Sequence, residues 1–302
     1  MDDFEALSVD VHETRLFVRR AGEGPPLLLL HGFPQTHLMW RRVVPALVRH
    51  FTVICADLRG YGDSGCPDSD DAHGPYAKRA MARDLVILME RLGFASFAVA
   101  GHDRGGRVAY RLALDHPARV TRLAVLDVLP TSTVWDHADA RFALAYWPWS
   151  MLAQPAPLPE RLLQSAADAV IDAALDGWGP NSEAFTPAVR AAYAAPLRDA
   201  SHAHAICEEY RAAATLDREH EAEDRVAGRR IHCPVLFLWS RGGPLDTWYD
   251  EAGGPLSLWR PWCTDVRGQA IEGGHFFPET RPQETARALE NFFPHSRSSA
   301  ID

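Results

Sequence analysis

Short apolar runs alternate with amphipathic helical patterns along most of this chain, and that alternation restricts the possible folds more than any other feature. Uninterrupted apolar runs are typical of strands that are buried on both faces, as in a parallel sheet. They lie at residues 27–30, 51–57, 97–101, 123–129 and 234–240, with a weaker run at 269–271 and a hairpin-like stretch at 8–20. Helical patterns occupy residues 85–92, 104–114 and 282–293. The alternation predicts an α/β fold with a mostly parallel sheet flanked by helices.

Residues 131–224 interrupt this alternation with several helical patterns, many Ala and Trp residues and no convincing strand. The simplest interpretation is a helical cap inserted between two strands of an α/β core, which then comprises residues 1–130 and 225–302. Open α/β sheets bind ligands at the carboxyl ends of their strands. We therefore expect the inserted cap to lie over that edge of the sheet.

The chain has 302 residues and a formal net charge of −9, which argues against nucleic acid or an anionic membrane as a partner. No apolar run is long enough for a transmembrane helix, and the acidic N-terminal segment lacks a secretory pattern, so we expect a cytoplasmic protein. The cysteines are odd in number and lack CxxC spacing, which is typical of free thiols in a reducing compartment. They are Cys55, Cys66, Cys207, Cys233 and Cys263.

The string GHDRGG (101–106) carries the strongest chemical signal. It follows a predicted strand, opens a predicted helix, and has the G-x-nucleophile-x-G pattern with Asp103 at the position usually held by serine. Gly101 and Gly105 supply the small residues that so tight a turn needs, and the helix start adds backbone N–H groups. A carboxylate nucleophile can displace a leaving group from an sp3 carbon and form an ester with the enzyme.

Such an ester must be hydrolysed, which requires a general base for water. His275 follows the last predicted strand, where the chain order of this architecture places the base. An acid should orient the imidazole. The alternatives are Asp127, in the run 123–129, and Asp246, in the loop after the run 234–240. We favour Asp127 because Asp246 lies far from the end of its strand.

The string HGFP (31–34) follows an early predicted strand. The backbone N–H groups of Phe33 and Arg104 are the candidate oxyanion hole for ester hydrolysis. We expect the side chain of His31 to lie in the same pocket.

Several strings resemble one branch of the α/β-hydrolase superfamily, that of the epoxide hydrolases and haloalkanoate dehalogenases. Within that branch, two arginines in HDRGGR are similar to the haloacetate dehalogenases, including fluoroacetate-specific members, because epoxide hydrolases usually carry Trp where Arg104 stands. The resemblance covers nearly the whole chain and implies an α/β-hydrolase fold with an inserted cap. The matching strings are HGFPQTHLMW (31–40), DLRGYGDS (57–64), GHDRGGRVAYRLALDHP (101–117), SMLAQPAPLPERLL (150–163), ICEEYRAAATLDREH (206–220) and EGGHFFPE (272–279).

The resemblance implies hydrolytic dehalogenation of small 2-haloacids, with water as the second reactant and neither a metal nor an organic cofactor. Relatives also imply a homodimer. The spacing of the arginines agrees with a role for both in binding the substrate carboxylate, because residues three apart lie on nearby faces of one helix and guanidinium forks suit carboxylates. The implied roles are nucleophile for Asp103, water activation for Asp127 and His275, carboxylate binding for Arg104 and Arg107, halide binding for Trp149 and Tyr210, and pocket lining for Trp178 and Pro148.

Pro148 departs from the pattern that the fluoroacetate-cleaving members imply, in which His precedes Trp just before the SxLAQP string. Proline has no side-chain donor, so the halide pocket loses one hydrogen bond. Removing a donor from such a site costs about 3–4 kcal/mol, and fluoride needs donors most because charge develops on it in the transition state. We therefore expect chloroacetate and bromoacetate to be better substrates than fluoroacetate.

Two other functions stay open at this point. An epoxide hydrolase would use the same Asp–His–Asp set, together with donors from the cap to the ring oxygen, normally two tyrosines. A non-catalytic ligand-binding member of the fold would bind a carboxylate without turnover.

Overall fold

Eight strands form one sheet in the computed structural model, which describes residues 1, 3–179 and 183–294. The strand order is β1-β2-β4-β3-β5-β6-β7-β8. The first two strands are antiparallel, and β3 to β8 run parallel, so the predicted mostly parallel sheet is confirmed. The strands are β1 (Glu5–Asp10), β2 (Arg15–Ala21), β3 (Pro26–Leu30), β4 (Thr52–Ala56), β5 (Phe97–His102), β6 (Val120–Leu126), β7 (Val235–Ser240) and β8 (Val266–Ile271).

Each predicted apolar run overlaps a strand, but β6 is displaced toward the N-terminal side of its predicted run, 123–129. It begins at Val120 and ends at Leu126, so Asp127 lies in the turn after the strand. Asp127 has a φ of 52°, which no strand residue adopts. The turn therefore directs the Asp127 side chain away from the face of the sheet and toward its carboxyl edge.

Helices cover both faces of the sheet, as predicted. Alternate residues of β3 show why: Leu28 and Leu30 belong to the apolar cluster under α2 and α3, and Leu27 and Leu29 belong to the cluster under α1 and α15. All four side chains are fully buried, which explains why the run is apolar without interruption. These core helices are α1 (Val44–Leu47), α2 (Lys78–Arg91), α3 (Arg104–Asp115), α12 (Pro244–Thr247), α13 (Pro255–Trp259), α14 (Phe277–Thr280) and α15 (Pro282–Phe292), with 3-10 turns at His37–Arg42, Gly74–Tyr76 and Asp250–Ala252.

The segment between β6 and β7 is helical in the residues that the structure describes, and we call it the cap segment (131–226). Its helices are α4 (Thr131–Asp136), α5 (Ala140–Ala145), α6 (Trp147–Leu152), α7 (Leu158–Ser165), α8 (Ala167–Gly177), α9 (Pro187–Arg198), α10 (Ala200–Ala214) and α11 (Leu216–Val226). The backbone N–H of His275, beyond the end of β8, donates to the carbonyl of Trp178 at 2.7 Å. The cap segment therefore lies over the carboxyl edge of the sheet.

No helix in the described part of the chain is both long and apolar enough to cross a membrane.

Candidate active site

Asp103 lies in a strained turn between β5 and α3. Its backbone has φ 48° and ψ −118°, a conformation that non-glycine residues rarely adopt. Two glycines make the turn possible: a Cβ on Gly101 would lie 2.3 Å from the carbonyl oxygen of Gly105, and a Cβ on Gly105 would lie 2.3 Å from that of His31. Strain of this kind persists where the surroundings hold a functional group in place. Here it presents the Asp103 carboxylate above the carboxyl edge of the sheet.

His275 and Asp127 form a short hydrogen bond on the same edge, 2.6 Å from Nδ1 to Oδ2. The other oxygen of Asp127 accepts the backbone N–H of Ser240 at 2.8 Å. The carboxylate is thus fixed on both sides, and it holds the imidazole with Nε2 directed toward Asp103.

Asp246, the alternative acid, has other partners. Its carboxylate accepts from the Trp239 indole at 2.6 Å and from the backbone N–H of Gly242 at 2.8 Å. These contacts stabilise the loop after β7. The geometry therefore favours Asp127 as the partner of His275.

The distance from His275 Nε2 to Asp103 Oδ2 is 3.9 Å, longer than a hydrogen bond. A serine nucleophile would need a closer base to remove its proton, but a carboxylate is already ionised. Although burial would raise the pKa of Asp103, the positive charges of His275 and Arg104 lower it below its usual value. Burial likewise opposes the charged form of His275, yet the bond to Asp127 raises its pKa above the usual value.

The loop after β3 contacts the side chain of Asp103 directly. The backbone N–H of Phe33 donates to Asp103 Oδ1 at 2.9 Å. Gly32 has no room for a side chain, because a Cβ there would lie 2.3 Å from the Cβ of Asp103. Arg104 is the first residue of α3, so its backbone N–H lies at the positive end of that helix. Of the two predicted oxyanion donors, the N–H of Phe33 thus contacts the Asp103 carboxylate, and the N–H of Arg104 belongs to the next residue along the chain.

The two arginines lie beside Asp103, but their bonding differs from the expectation. Nε and Nη2 of Arg104 donate to the carboxylate of Glu209, at 2.6 to 2.9 Å, so this fork is occupied by the protein and is not open to a substrate. Arg107 donates through Nη1 to the carbonyl of Leu129 at 2.9 Å and to the Thr131 hydroxyl at 3.2 Å. In the described part of the chain, Arg104 Nη1 and Arg107 Nε are buried without hydrogen-bond partners.

Trp149 and Tyr210 reach the site from the cap segment. The Arg107 guanidinium lies 4.4 Å from the Trp149 ring centroid, and that of Arg104 lies 4.1 Å from the Tyr210 ring. Both rings are buried. No hydrogen bond among the described residues uses the Trp149 indole N–H or the Tyr210 hydroxyl. Both donors are therefore available to a ligand.

A cavity of about 300 Å³ lies beside His275. Its wall includes Asp127, His275, Tyr146, Trp147 and Trp178. The Trp178 ring is perpendicular to the His275 ring, with centroids 6.0 Å apart. Trp178 therefore lines this cavity.

Two predicted pocket residues have different surroundings. The His31 ring is fully buried, with Nδ1 at 3.0 Å from the carbonyl of Gly32 and Nε2 accepting the N–H of Leu58 at 3.1 Å. Burial lowers its pKa. Both ring nitrogens are therefore used by neighbouring backbone groups, and His31 is not among the residues that line the cavity beside His275. Pro148 is buried in the first turn of α6, and its neighbour Trp147 lines the cavity instead.

Sequence reasoning missed two side chains of the site. His102, inside the GHDRGG string, lies with its Nε2 at 2.8 Å from the carbonyl oxygen of His275, and the two rings are 4.6 Å apart. Burial lowers its pKa to about 4, so the ring is neutral and can donate to that carbonyl. Glu209 was present in a string used for the resemblance, but the string contains two adjacent glutamates, both of them buried, and no spacing distinguishes the one that contacts Arg104.

The profile described as alpha/beta hydrolase fold matches residues 25–282, and the chain belongs to that family of hydrolases. The chain is similar to a fluoroacetate dehalogenase from Burkholderia sp, with 41% identity over 98% of this chain and 96% of the relative. It is also 30% identical to a soluble epoxide hydrolase from Corynebacterium sp., over 92% of this chain and 93% of that protein. A solved putative α/β hydrolase from Nostoc sp PCC 7120 superposes with a TM-score of 0.92 and 47% identity, covering 96% and 98% of the two chains.

Proposed function

We propose that this hydrolase removes halide from small 2-haloacids, haloacetates above all, through an ester on Asp103. One observation carries the proposal: the partly buried carboxylate of Asp103, whose pKa is lowered, lies beside two arginines that retain unpartnered N–H groups. That arrangement suits a substrate that is itself a small anion and has an electrophilic carbon beside its carboxylate. The similarity to a fluoroacetate dehalogenase supports the same class of substrate.

In the first step, the substrate carboxylate binds the free N–H groups of Arg104 and Arg107. An oxygen of Asp103 attacks the halogen-bearing carbon, the carbon–oxygen bond forms, and the carbon–halogen bond breaks. The halide leaves with the bonding electron pair toward the N–H of Trp149 and the O–H of Tyr210. Donors directed at the departing ion stabilise the transition state more than the ground state.

In the second step, water attacks the ester carbonyl of Asp103. Nε2 of His275 takes the proton from water, and Asp127 stabilises the imidazolium that results. The N–H groups of Phe33 and Arg104 hold the oxyanion. The ester bond breaks to release a 2-hydroxy acid, and the Asp103 carboxylate is restored. The sum is 2-haloacid plus water giving 2-hydroxy acid, halide and a proton.

Because Pro148 has no side-chain donor for the halide, we propose that chloroacetate and bromoacetate are cleaved faster than fluoroacetate. The indole of Trp147, the residue next to it, faces the cavity beside His275, so it does not replace the missing donor near Trp149. The experiment is halide release from the three haloacetates by the purified protein. Rapid fluoride release would refute this view of the halide pocket while leaving the ester mechanism in place.

Epoxide hydrolysis is the second candidate, favoured by the Corynebacterium relative and by the hydroxyl of Tyr210 beside Asp103. Ring opening would require a donor to the epoxide oxygen, and Tyr210 is suited to that role. Turnover of styrene oxide without halide release from any haloacetate would favour this function. Halide release without epoxide turnover would exclude it.

A further inference from the structure

Arg104 is anchored by a carboxylate of the cap segment. Nε and Nη2 form a two-point contact with Glu209, and neither side chain is exposed to solvent. Contacts of this kind fix the plane of a guanidinium group. With two of its nitrogens committed, Arg104 has Nη1 left, which is buried and lacks a partner among the described residues.

The charge of Arg104 is balanced within the protein. Glu209 also pairs with Nζ of Lys78, and Lys78 pairs in turn with Asp217 at 3.2 Å. The chain of contacts joins α3, α10, α2 and α11, with two positive and two negative side chains. It therefore adds no net charge to the site.

Arg107 is bound differently. Its contacts are to a carbonyl and a hydroxyl, and in the described part of the chain no carboxylate lies within ion-pair distance of it. Its positive charge is thus not balanced by a direct partner. An anion entering the site would be attracted mainly by Arg107.

We propose that Glu209 is a positioning residue for carboxylate binding, which fixes Arg104 so that Nη1 donates one directed hydrogen bond while Arg107 supplies the attracting charge. The inference rests on the proposed function in one respect, that the ligand is a small carboxylate.

For the variant Glu209→Gln, the change in charge and the change in the position of Arg104 have opposite predicted effects on anion binding. Loss of the negative charge of Glu209 leaves the positive charges of Arg104 and Lys78 less neutralised, and this alone would tighten the binding of an anion. Glutamine, however, offers one acceptor oxygen and an NH2 group that meets the N–H groups of Arg104 as donor against donor. Arg104 would then leave its present orientation, and binding would weaken.

The test is the dissociation constant of acetate, measured from broadening of its methyl proton signal in NMR titrations of the full-length protein. For Glu209→Gln we expect a constant about tenfold larger than for the wild type, the size of one lost hydrogen bond to a charged group. Glu208→Gln is the matched control, because Glu208 is the adjacent residue of α10 and pairs with Arg211 and His73 away from Arg104. We expect no more than about a twofold change there.

A double variant, Lys78→Met with Glu209→Gln, removes one charge of each sign, so the net charge of the group around Arg104 stays as it is in the wild type. It should show the same loss of acetate affinity. Unchanged or tighter binding in either variant, or no acetate binding by the wild type, would overturn the inference. Halide release by the same wild-type sample tests the proposed function separately: Glu209-dependent acetate binding without halide release would refute the chemistry and leave the positioning role intact.

Discussion

The two sides of the site are fixed by different means. On the sheet side, Asp103, Asp127 and His275 follow strand ends, and main-chain geometry places each of them. On the cap side, Trp149, Tyr210 and Glu209 come from helices whose positions depend on side-chain contacts with the core. The sheet side thus depends on backbone conformation, as the positive φ angles of Asp103 and Asp127 show, whereas the cap side depends on side chains that contact the two arginines. In the proposed mechanism, the sheet side therefore sets the reaction type, and the cap side contributes the contacts that select the substrate.

The largest expected effect belongs to Asp103, the proposed nucleophile. Asp103→Ala should lower halide release by at least about 10,000-fold, because no other group can form the ester. An ion-selective electrode or a colorimetric chloride assay measures this with chloroacetate. The midpoint of urea unfolding serves as a check that the variant is folded, and full residual activity would refute the mechanism.

Substitution of Asp127, the proposed partner of His275, should separate ester formation from ester hydrolysis. Asp127→Asn should slow ester hydrolysis about 1,000-fold or more, since the imidazolium loses its counterion, while the first turnover is less affected. The esterified protein should then accumulate and appear in intact-protein mass spectrometry. The matched variant Asp246→Asn, which alters a loop carboxylate bonded to Trp239 and Gly242, should hydrolyse the ester at nearly the wild-type rate. The reverse result would assign Asp246 as the acid.

Loss of a cap donor should have a smaller effect. Trp149→Phe keeps a ring against Arg107 but removes the indole N–H, and we expect chloride release to fall about tenfold to 100-fold. Trp135→Phe is the control, because Trp135 packs against Trp149 at 5.4 Å and contributes no proposed contact to the halide. Equal rates for both variants would show that the indole N–H does not bind the leaving ion.

The pH dependence should show the smallest effect and should belong to the second step. His275 must be neutral to accept a proton, and its pKa lies above the usual value because Asp127 stabilises the charged form against burial. Ester hydrolysis should therefore increase with pH through that raised pKa and then level off. Single-turnover kinetics with bromoacetate measure it. In Asp127→Asn the apparent pKa should fall, and an unchanged pKa would contradict the role of that contact.

The features that can be predicted from the sequence belong mainly to the sheet side, and those that cannot belong mainly to the cap side. The buried strands, the turn at GHDRGG and the order of Asp103, Asp127 and His275 along the chain are visible because main-chain requirements leave local patterns of glycine and apolar residues. The ion pair between Arg104 and Glu209 joins two helices that are distant in the chain, so no local sequence pattern predicts it. The surroundings of His31 are likewise not visible in the sequence, since only the structure shows that both ring nitrogens contact backbone groups, of Gly32 and Leu58.

The hydrogen bond from the backbone of His275 to the carbonyl of Trp178 limits how freely caps can be exchanged between relatives. A chimaera that receives a foreign cap must supply a carbonyl oxygen at that point in space, whatever side chain accompanies it. Without that oxygen, the backbone N–H of His275, the proposed base, loses its hydrogen-bond acceptor. Engineering of new substrate ranges should therefore replace side chains within α6 and α10 and retain the main-chain path around residue 178.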